Sequence, residues 1–356
     1  MKGVIRWTLL VVAVALIAGC AEKQPPILEL IRLTVEGKHD EVITLAEKMT
    51  SKNPNDTQAH RFLVRAALEK GQLDKYVRKY QELVQAQPTT PGYHFALGYS
   101  YTQTKEYDAA LKELQKAIEL SPSIEYAHYV IGWIHLNSEY ADAKPAEGLA
   151  AWDKEEQLDP KSLGALQVYA DRANYYLRVG DADSAEKDFE KITLYAFAPE
   201  DITGARDRIA EIRALRDELA RRQADVQDNP EDADARYKLG VVQYKSGNVD
   251  EAIVTWQRAA DLAPESTAVR NSLGKALLEK ERFKEAAEEF RRVVELDPQS
   301  ETACYNLAVA EEFLGNIDQA LEYYKKYLEI NPASSRLEEV KQRISALEEQ
   351  KAAKKG

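Results

Sequence analysis

Cysteine is nearly absent from this sequence: two in 356 residues, Cys20 and Cys304. Two cannot build a disulfide framework or a four-cysteine zinc site. Basic residues are in deficit, 48 Lys and Arg against 60 Asp and Glu, for a net charge of −12. That balance excludes non-specific nucleic-acid binding, which needs clustered Lys and Arg. Sixteen Gly and 13 Pro are too few for a collagen-like or low-complexity chain. No apolar run reaches the ~20 residues of a membrane span. The apolar run at Trp7 to Gly19 is shorter than that. What remains is 44% apolar, too much for a disordered chain.

The first residues read as an export signal. Lys2 and Arg6 give a charged start, Trp7 to Gly19 an apolar core, and the core ends Ile17-Ala18-Gly19-Cys20. That ending resembles the bacterial lipobox. The resemblance implies a signal peptide at 1–19, cleavage before Cys20 and acylation (palmitate) of that cysteine. The side-chain charge of the processed chain would be −14. Ala21 in place of Asp is compatible with the outer membrane. Residues 20–26 would then be a short tether. Six extended residues, Ala21 to Pro26, reach at most about 20 Å, so the folded part would start close to the membrane surface.

The rest of the chain is periodic. Pro54, Pro88 and Pro122 are 34 residues apart, and so are Pro230, Pro264, Pro298 and Pro332. Leu97-Gly98, Leu239-Gly240, Leu273-Gly274 and Leu307-Ala308 keep the same register. So do the small residues Ala110, Ala185, Ala252, Ala286 and Ala320, and the aromatics Phe189, Trp256, Phe290 and Tyr324. Spacings of three, four and seven put these on one helix face. Gly37, Gly71, Gly180, Gly247 and Gly315 stand where two helices must be joined by a turn. Each unit is thus a helical hairpin that buries its apolar face only against the next.

This pattern resembles the tetratricopeptide repeat (TPR) family. The resemblance implies an all-α, right-handed superhelical solenoid of about eight hairpins. It divides the chain into a first array at 27–199, a connecting helix at 200–232, a second array at 233–334, and a capping helix with its tail at 335–356. The first repeat is weak, with Val42 and Ala46 at the small and aromatic positions. The fourth carries extra residues between Asn137 and Pro145. Lys351, Lys354 and Lys355 are expected to fray.

Chemistry is hard to find. His60, His94 and His128 share one repeat position, so intervening helices separate them and no common metal is expected. Cys304 occupies that position in a later repeat and reads as a buried thiol. No HExxH, GxSxG, GxxxxGK[ST] or GxGxxG motif occurs. The chain therefore reads as a non-enzyme with no cofactor, no metal and no small-molecule substrate.

In the TPR family the first helix of each hairpin lines a concave groove. Carried onto this sequence, the groove positions include Phe95, Tyr99, Thr102 and Gln103. They continue with Tyr126, Tyr129, Trp133 and Gln167, then Asn174 and Arg178. Large amphipathic aromatics are frequent interface anchors. The partner-binding groove is expected at Phe95, Tyr99, Tyr126, Tyr129, Trp133, Asn174 and Arg178. Arg61 and Arg65 are a partial echo of the basic clamp that some TPR domains use for a peptide carboxylate; they read as a solvated basic face, with contact to an acidic segment as the alternative. The function implied is a lipid-anchored scaffold for envelope proteins, facing the periplasm from the outer membrane. It would assist assembly of an envelope, secretion, pilus or polysaccharide-export complex. The alternative is an adaptor or regulator of periplasmic cell-wall enzymes.

Overall fold

The computed structural model describes residues 26–137, 139–196 and 199–353; the signal reading and Cys20 lie outside them. Among the described residues there are eighteen α-helices and no strand. No helix there is long and apolar enough to cross a membrane. The helices pair as hairpins: α1 (Pro26–Val35) with α2 (His39–Lys52), α3 (Thr57–Glu69) with α4 (Leu73–Ala86), and α5 (Pro91–Gln103) with α6 (Tyr107–Leu120). Next come α7 (Ala127–His135) with α8 (Pro145–Leu158) and α9 (Leu163–Arg178) with α10 (Ala182–Tyr195). A 30-residue helix, α11 (Pro199–Asp228), follows. After it come α12 (Ala233–Lys245) with α13 (Val249–Leu262), α14 (Thr267–Glu279) with α15 (Phe283–Leu296), and α16 (Glu301–Phe313) with α17 (Ile317–Ile330). The last helix is α18 (Leu337–Ala353).

The chain forms two compact units. Among the described residues one comprises 26–176 and 183–210, the other 177–182 and 211–353, so the division passes through the α9–α10 turn and within α11. In α11, Ala205, Ile209 and Ile212 are buried. They belong to the apolar stripe that marks this segment as helical in the sequence.

The repeat register has direct physical causes. The short turn inside a hairpin places one residue in the left-handed region, where glycine carries no Cβ penalty; the lengthened fourth turn shows none among its described residues. Gly37, Gly71, Gly247 and Gly315 hold φ between +65° and +83° there. Lys105 and Glu281 fill the same register with φ of +64° and +56°, so the turn geometry outlasts the loss of its preferred residue. Inside the hairpins, the small positions let the helices close. A methyl on Gly240 would sit 2.4 Å from Trp256 Nε1. That indole N–H donates to the Tyr237 carbonyl at 3.1 Å, and in the same way Trp152 Nε1 donates to the Tyr129 carbonyl at 2.9 Å.

The inter-repeat prolines have a bonded role as well. At four of them the residue six places after the proline reaches back to the proline carbonyl. His60 Nε2 lies 2.9 Å from the Pro54 oxygen, and His94 Nε2 2.9 Å from that of Pro88. Arg236 Nη2 donates to Pro230 at 2.7 Å, and Arg270 Nε to Pro264 at 2.8 Å. The recurrent position is therefore a tie between hairpins. His60 Nδ1 meets the Tyr80 hydroxyl at 2.8 Å, and burial holds the ring neutral, its pKa down at about 4. Cys304 is fully buried, and burial pushes its thiol pKa up.

The first hairpin forms despite its weak sequence, with Val42 and Ala46 buried at the two consensus positions. In the fourth, α7 has only nine residues and α8 begins at Pro145, so the extra residues lengthen the turn. At the C-terminal end the expectation of fraying at Lys351 is wrong. Lys351 lies in α18 and pairs with Asp318 of α17, while Val340 and Leu347 are buried. Lys354 and Lys355 lie outside the described residues.

Candidate functional site

In the first unit, the leading helices of successive hairpins line one groove of about 480 Å³. Arg61 and Arg65 enter it from α3; Tyr99, Thr102 and Gln103 from α5; Tyr129 and Trp133 from α7; Gln167 and Asp171 from α9. These side chains share a face because each lies on the first helix of its hairpin at a similar register. The turn residues Lys105 and Glu139 close one edge as an ion pair at 2.8 Å.

Arg61 stands at the centre. Its guanidinium lies 3.6 Å from the centroid of the Tyr126 ring and about 6 Å from those of Tyr99 and Tyr129. A cation against aromatic faces is stabilised by their quadrupoles, more so when it is withdrawn from water. The sequence reading of Arg61 as a solvated basic residue is therefore corrected: it is 7% exposed. Its register on α3 turns it toward the tyrosines of the following hairpins rather than outward.

The anionic side of the groove is Asp171. Tyr129 Oη donates to Asp171 Oδ2 at 2.7 Å, and Gln167 Nε2 donates to the same oxygen at 3.2 Å. Burial raises the Asp171 pKa, and the two hydrogen bonds oppose that rise. Tyr129 is also stacked on Trp152, with ring planes 10° apart. Trp133 is the exposed anchor, 39% accessible at the groove wall.

A buried carboxylate holds this wall from behind. Glu155 of α8 is 1% exposed. It accepts the backbone N–H of Tyr126 at 2.6 Å and of Tyr129 at 3.2 Å. It thus caps the start of α7, where a carboxylate meets otherwise unpaired amide groups. Burial raises its pKa to about 7, against the lowering effect of those two N–H groups. Tyr126 itself has φ of +66°, a conformation costly for a bulky residue. Glu155 and Arg61 grip its two ends, the backbone amide and the ring.

Of the residues expected in the groove, Tyr129, Trp133 and the largely buried Tyr99 line it. Phe95 and Tyr126 do not. Phe95 is fully buried and stacked on Tyr99, and Tyr126 is buried beneath Arg61. Phe95 lies within α5 and Tyr126 at the residue that begins α7, both between flanking hairpins, so both rings turn into the core. Asn174 is exposed on α9, with its amide donating to the Ala170 carbonyl at 2.8 Å. Arg178 is exposed in the last turn of α9 and is not among the lining residues. Asp171 and Glu155 were invisible in the sequence, two carboxylates among many. Their importance comes from burial, which no spacing announces.

A stack of antiparallel helical hairpins with a lined groove defines a class of repeat proteins that present a surface to other chains. Residues 212–267 and 271–335 match a family model described as "Tetratricopeptide repeat", and residues 98–138 match one described as "TPR repeat". The fold is a tetratricopeptide-repeat array. No curated protein matches the sequence.

Among solved structures, the chain is similar to the first TPR of Spaghetti (RPAP3) bound to the HSP90 peptide SRMEEVD. That match has 21% identity and a TM-score of 0.31, covering 34% of this chain and 93% of that one. It is similar to the APC/C hetero-tetramer Cut9–Hcn1, at 14% identity and a TM-score of 0.40, over 90% of this chain and 55% of that one. It is also similar to YrrB, a TPR protein with an unusual peptide-binding site. There the identity is 20% and the TM-score 0.30, over 74% of this chain and 97% of that one.

Proposed function

We propose that this chain is a non-enzymatic interaction scaffold that holds a peptide segment of a protein partner in the groove of its first unit. The carrying observation is convergence. Two hairpins contribute Tyr99, Tyr129 and Trp133 to one surface, and two more set Arg61 and Asp171 among them. Aromatic anchors surrounded by fixed charged groups suit recognition of another polypeptide.

We further propose that the chain is lipid-anchored through Cys20 to the bacterial envelope, facing the periplasm, where its partners assist assembly of a secretion, pilus or export complex. The lipobox-like ending at Cys20 supports this, as does the short distance from Cys20 to α1.

Crosslinking capture from intact cells, with the full-length chain beside its Trp133→Ala variant, tests the scaffold reading. Envelope-assembly subunits captured by the parent and lost from the variant are the expected result. Capture of wall hydrolases instead would shift the reading to an adaptor of cell-wall enzymes. A partner set unchanged by Trp133→Ala would remove the groove assignment. Mass spectrometry of the N-terminal peptide tests the anchor separately. An acylated Cys20, and release of a Cys20→Ser protein from the membrane fraction, are expected; an unmodified thiol would end that part.

A further inference from the structure

Helix α3 separates two cavities. Arg61 and Arg65 stand one helical turn apart, about 6 Å along the axis, and both line the groove described above. The same two arginines also line a second cavity of about 210 Å³. Its other walls are Thr34, His39, Phe62, Ala66 and Glu69, so its surface is mostly carbon. Phe62 and Ala66 follow Arg61 and Arg65 by one residue each, so they form the neighbouring stripe of α3. The result is a row of subsites. An apolar cavity lies on one side, two guanidinium groups at the junction, and the Trp133 and Tyr129 wall on the other side.

The charges along this row are unevenly placed. The cations sit at the junction, and Arg61 is held in orientation by the tyrosine rings. Carboxylates flank the arginines in both cavities, Glu69 one turn along α3 in the second, Glu139 and Asp171 in the first. Glu139 is paired with Lys105, and Asp171 is bonded to Tyr129 and Gln167. Guanidinium groups recognise carboxylates through paired, charge-assisted hydrogen bonds. The flanking carboxylates disfavour an acid seated away from the two arginines.

We propose that the segment held here is an extended peptide with an internal acidic side chain flanked on both sides by apolar ones. The carboxylate lies against Arg61 and Arg65. One apolar side chain enters the Phe62 cavity, and an aromatic or aliphatic one packs on Trp133. The proposal rests on the groove reading above and adds the chemistry of the partner. It requires a side-chain carboxylate within the segment, not a free C-terminus.

The test is selection from a randomised nine-residue library, displayed with no free C-terminus, on the full-length chain. Selections on Trp133→Ala and Arg65→Gln run in parallel, with circular dichroism to confirm that each variant is folded. The expected consensus has Asp or Glu between apolar positions. Changing that acid to Gln in the resynthesised peptide should weaken binding about tenfold, and Arg65→Gln on the protein should do the same. Combining the two should cost little more than either alone, because they remove one interaction. Phe62→Ala should relax the preference on one side of the acid only. A consensus without an acid, or two losses that multiply to about a hundredfold, would overturn the charge assignment while leaving a Trp133-dependent groove intact. Enrichment indifferent to Trp133→Ala, or none at all, would sink the groove reading with it.

Discussion

Single residues at the groove wall carry unequal burdens. Glu155 is the clearest case, a fully enclosed carboxylate that caps α7 through two backbone N–H groups. Its pKa is raised to about 7 from an ordinary 4.5 in the unfolded chain. A raised acid favours folding most when protonated in both states. Its contribution therefore falls as the pH climbs from about 4.5 to about 7 and is level above that. By linkage the span is ~3 kcal/mol. In Glu155→Gln the side chain no longer titrates. Urea unfolding at pH 5, 6, 7 and 8 should show the parent losing stability relative to the variant as pH rises through that window. A difference that does not change with pH would mean the carboxylate is not raised. Because Glu155 fixes Tyr126 and Tyr129, the same substitution should also weaken whatever the groove holds.

Between elements, the fourth and fifth hairpins are joined by charge as well as by apolar packing. Arg172 of α9 is buried and donates to Asp188 of α10 through two nitrogens at 2.8 Å each. It also donates to Asp153 and Glu156 of α8, both at 2.6 Å, and Lys191 closes the cluster on Glu156 at 2.7 Å. Asp188 is 2% exposed. Removing one partner of a buried pair leaves the other desolvated and unmatched, at a cost of about 3–5 kcal/mol. Asp188→Ala is expected to lower stability by ~3 kcal/mol in denaturant melts. The Asp188→Ala, Arg172→Met double variant should recover part of that loss. If Asp188→Ala alone is nearly neutral, the remaining carboxylates suffice and the cluster is redundant.

At the scale of the whole molecule, hairpin arrays are stabilised by nearest-neighbour contacts, and their ends need a polar-backed cover. The second unit ends in α18, whose Val340 and Leu347 are buried and whose Lys351 and Arg343 pair with α17 and α16. A chain stopped after Pro332 would expose the face of α16 and α17 that α18 covers, where Tyr324 and Tyr327 are buried. Calorimetry should then show a lower transition temperature for the second unit, and sedimentation should show self-association. An unchanged transition and a monomeric truncate would mean that α18 is not a cap.

Much of this was legible in the amino-acid order. The 34-residue proline spacing, the turn glycines and the small-then-aromatic register determined the hairpins and their number, because helix periodicity and turn stereochemistry act over a few residues. The stripes in the sequence also mark the helices at α11 and α18. The groove was legible by half. Tyr99, Tyr129 and Trp133 were readable as positions on leading helices, whereas Phe95 and Tyr126, at equally good positions, turned out buried. Which aromatic faces the groove and which faces the core depends on how adjacent hairpins close, and that is set by contacts tens of residues apart. The same holds for Arg61, Asp171 and Glu155. Sequence counts them among the many charges of an acidic chain. Only the tertiary structure withdraws them from water, and burial alone gives one a tyrosine cage, one a raised pKa in the groove wall, and one the cap that holds α7 in place.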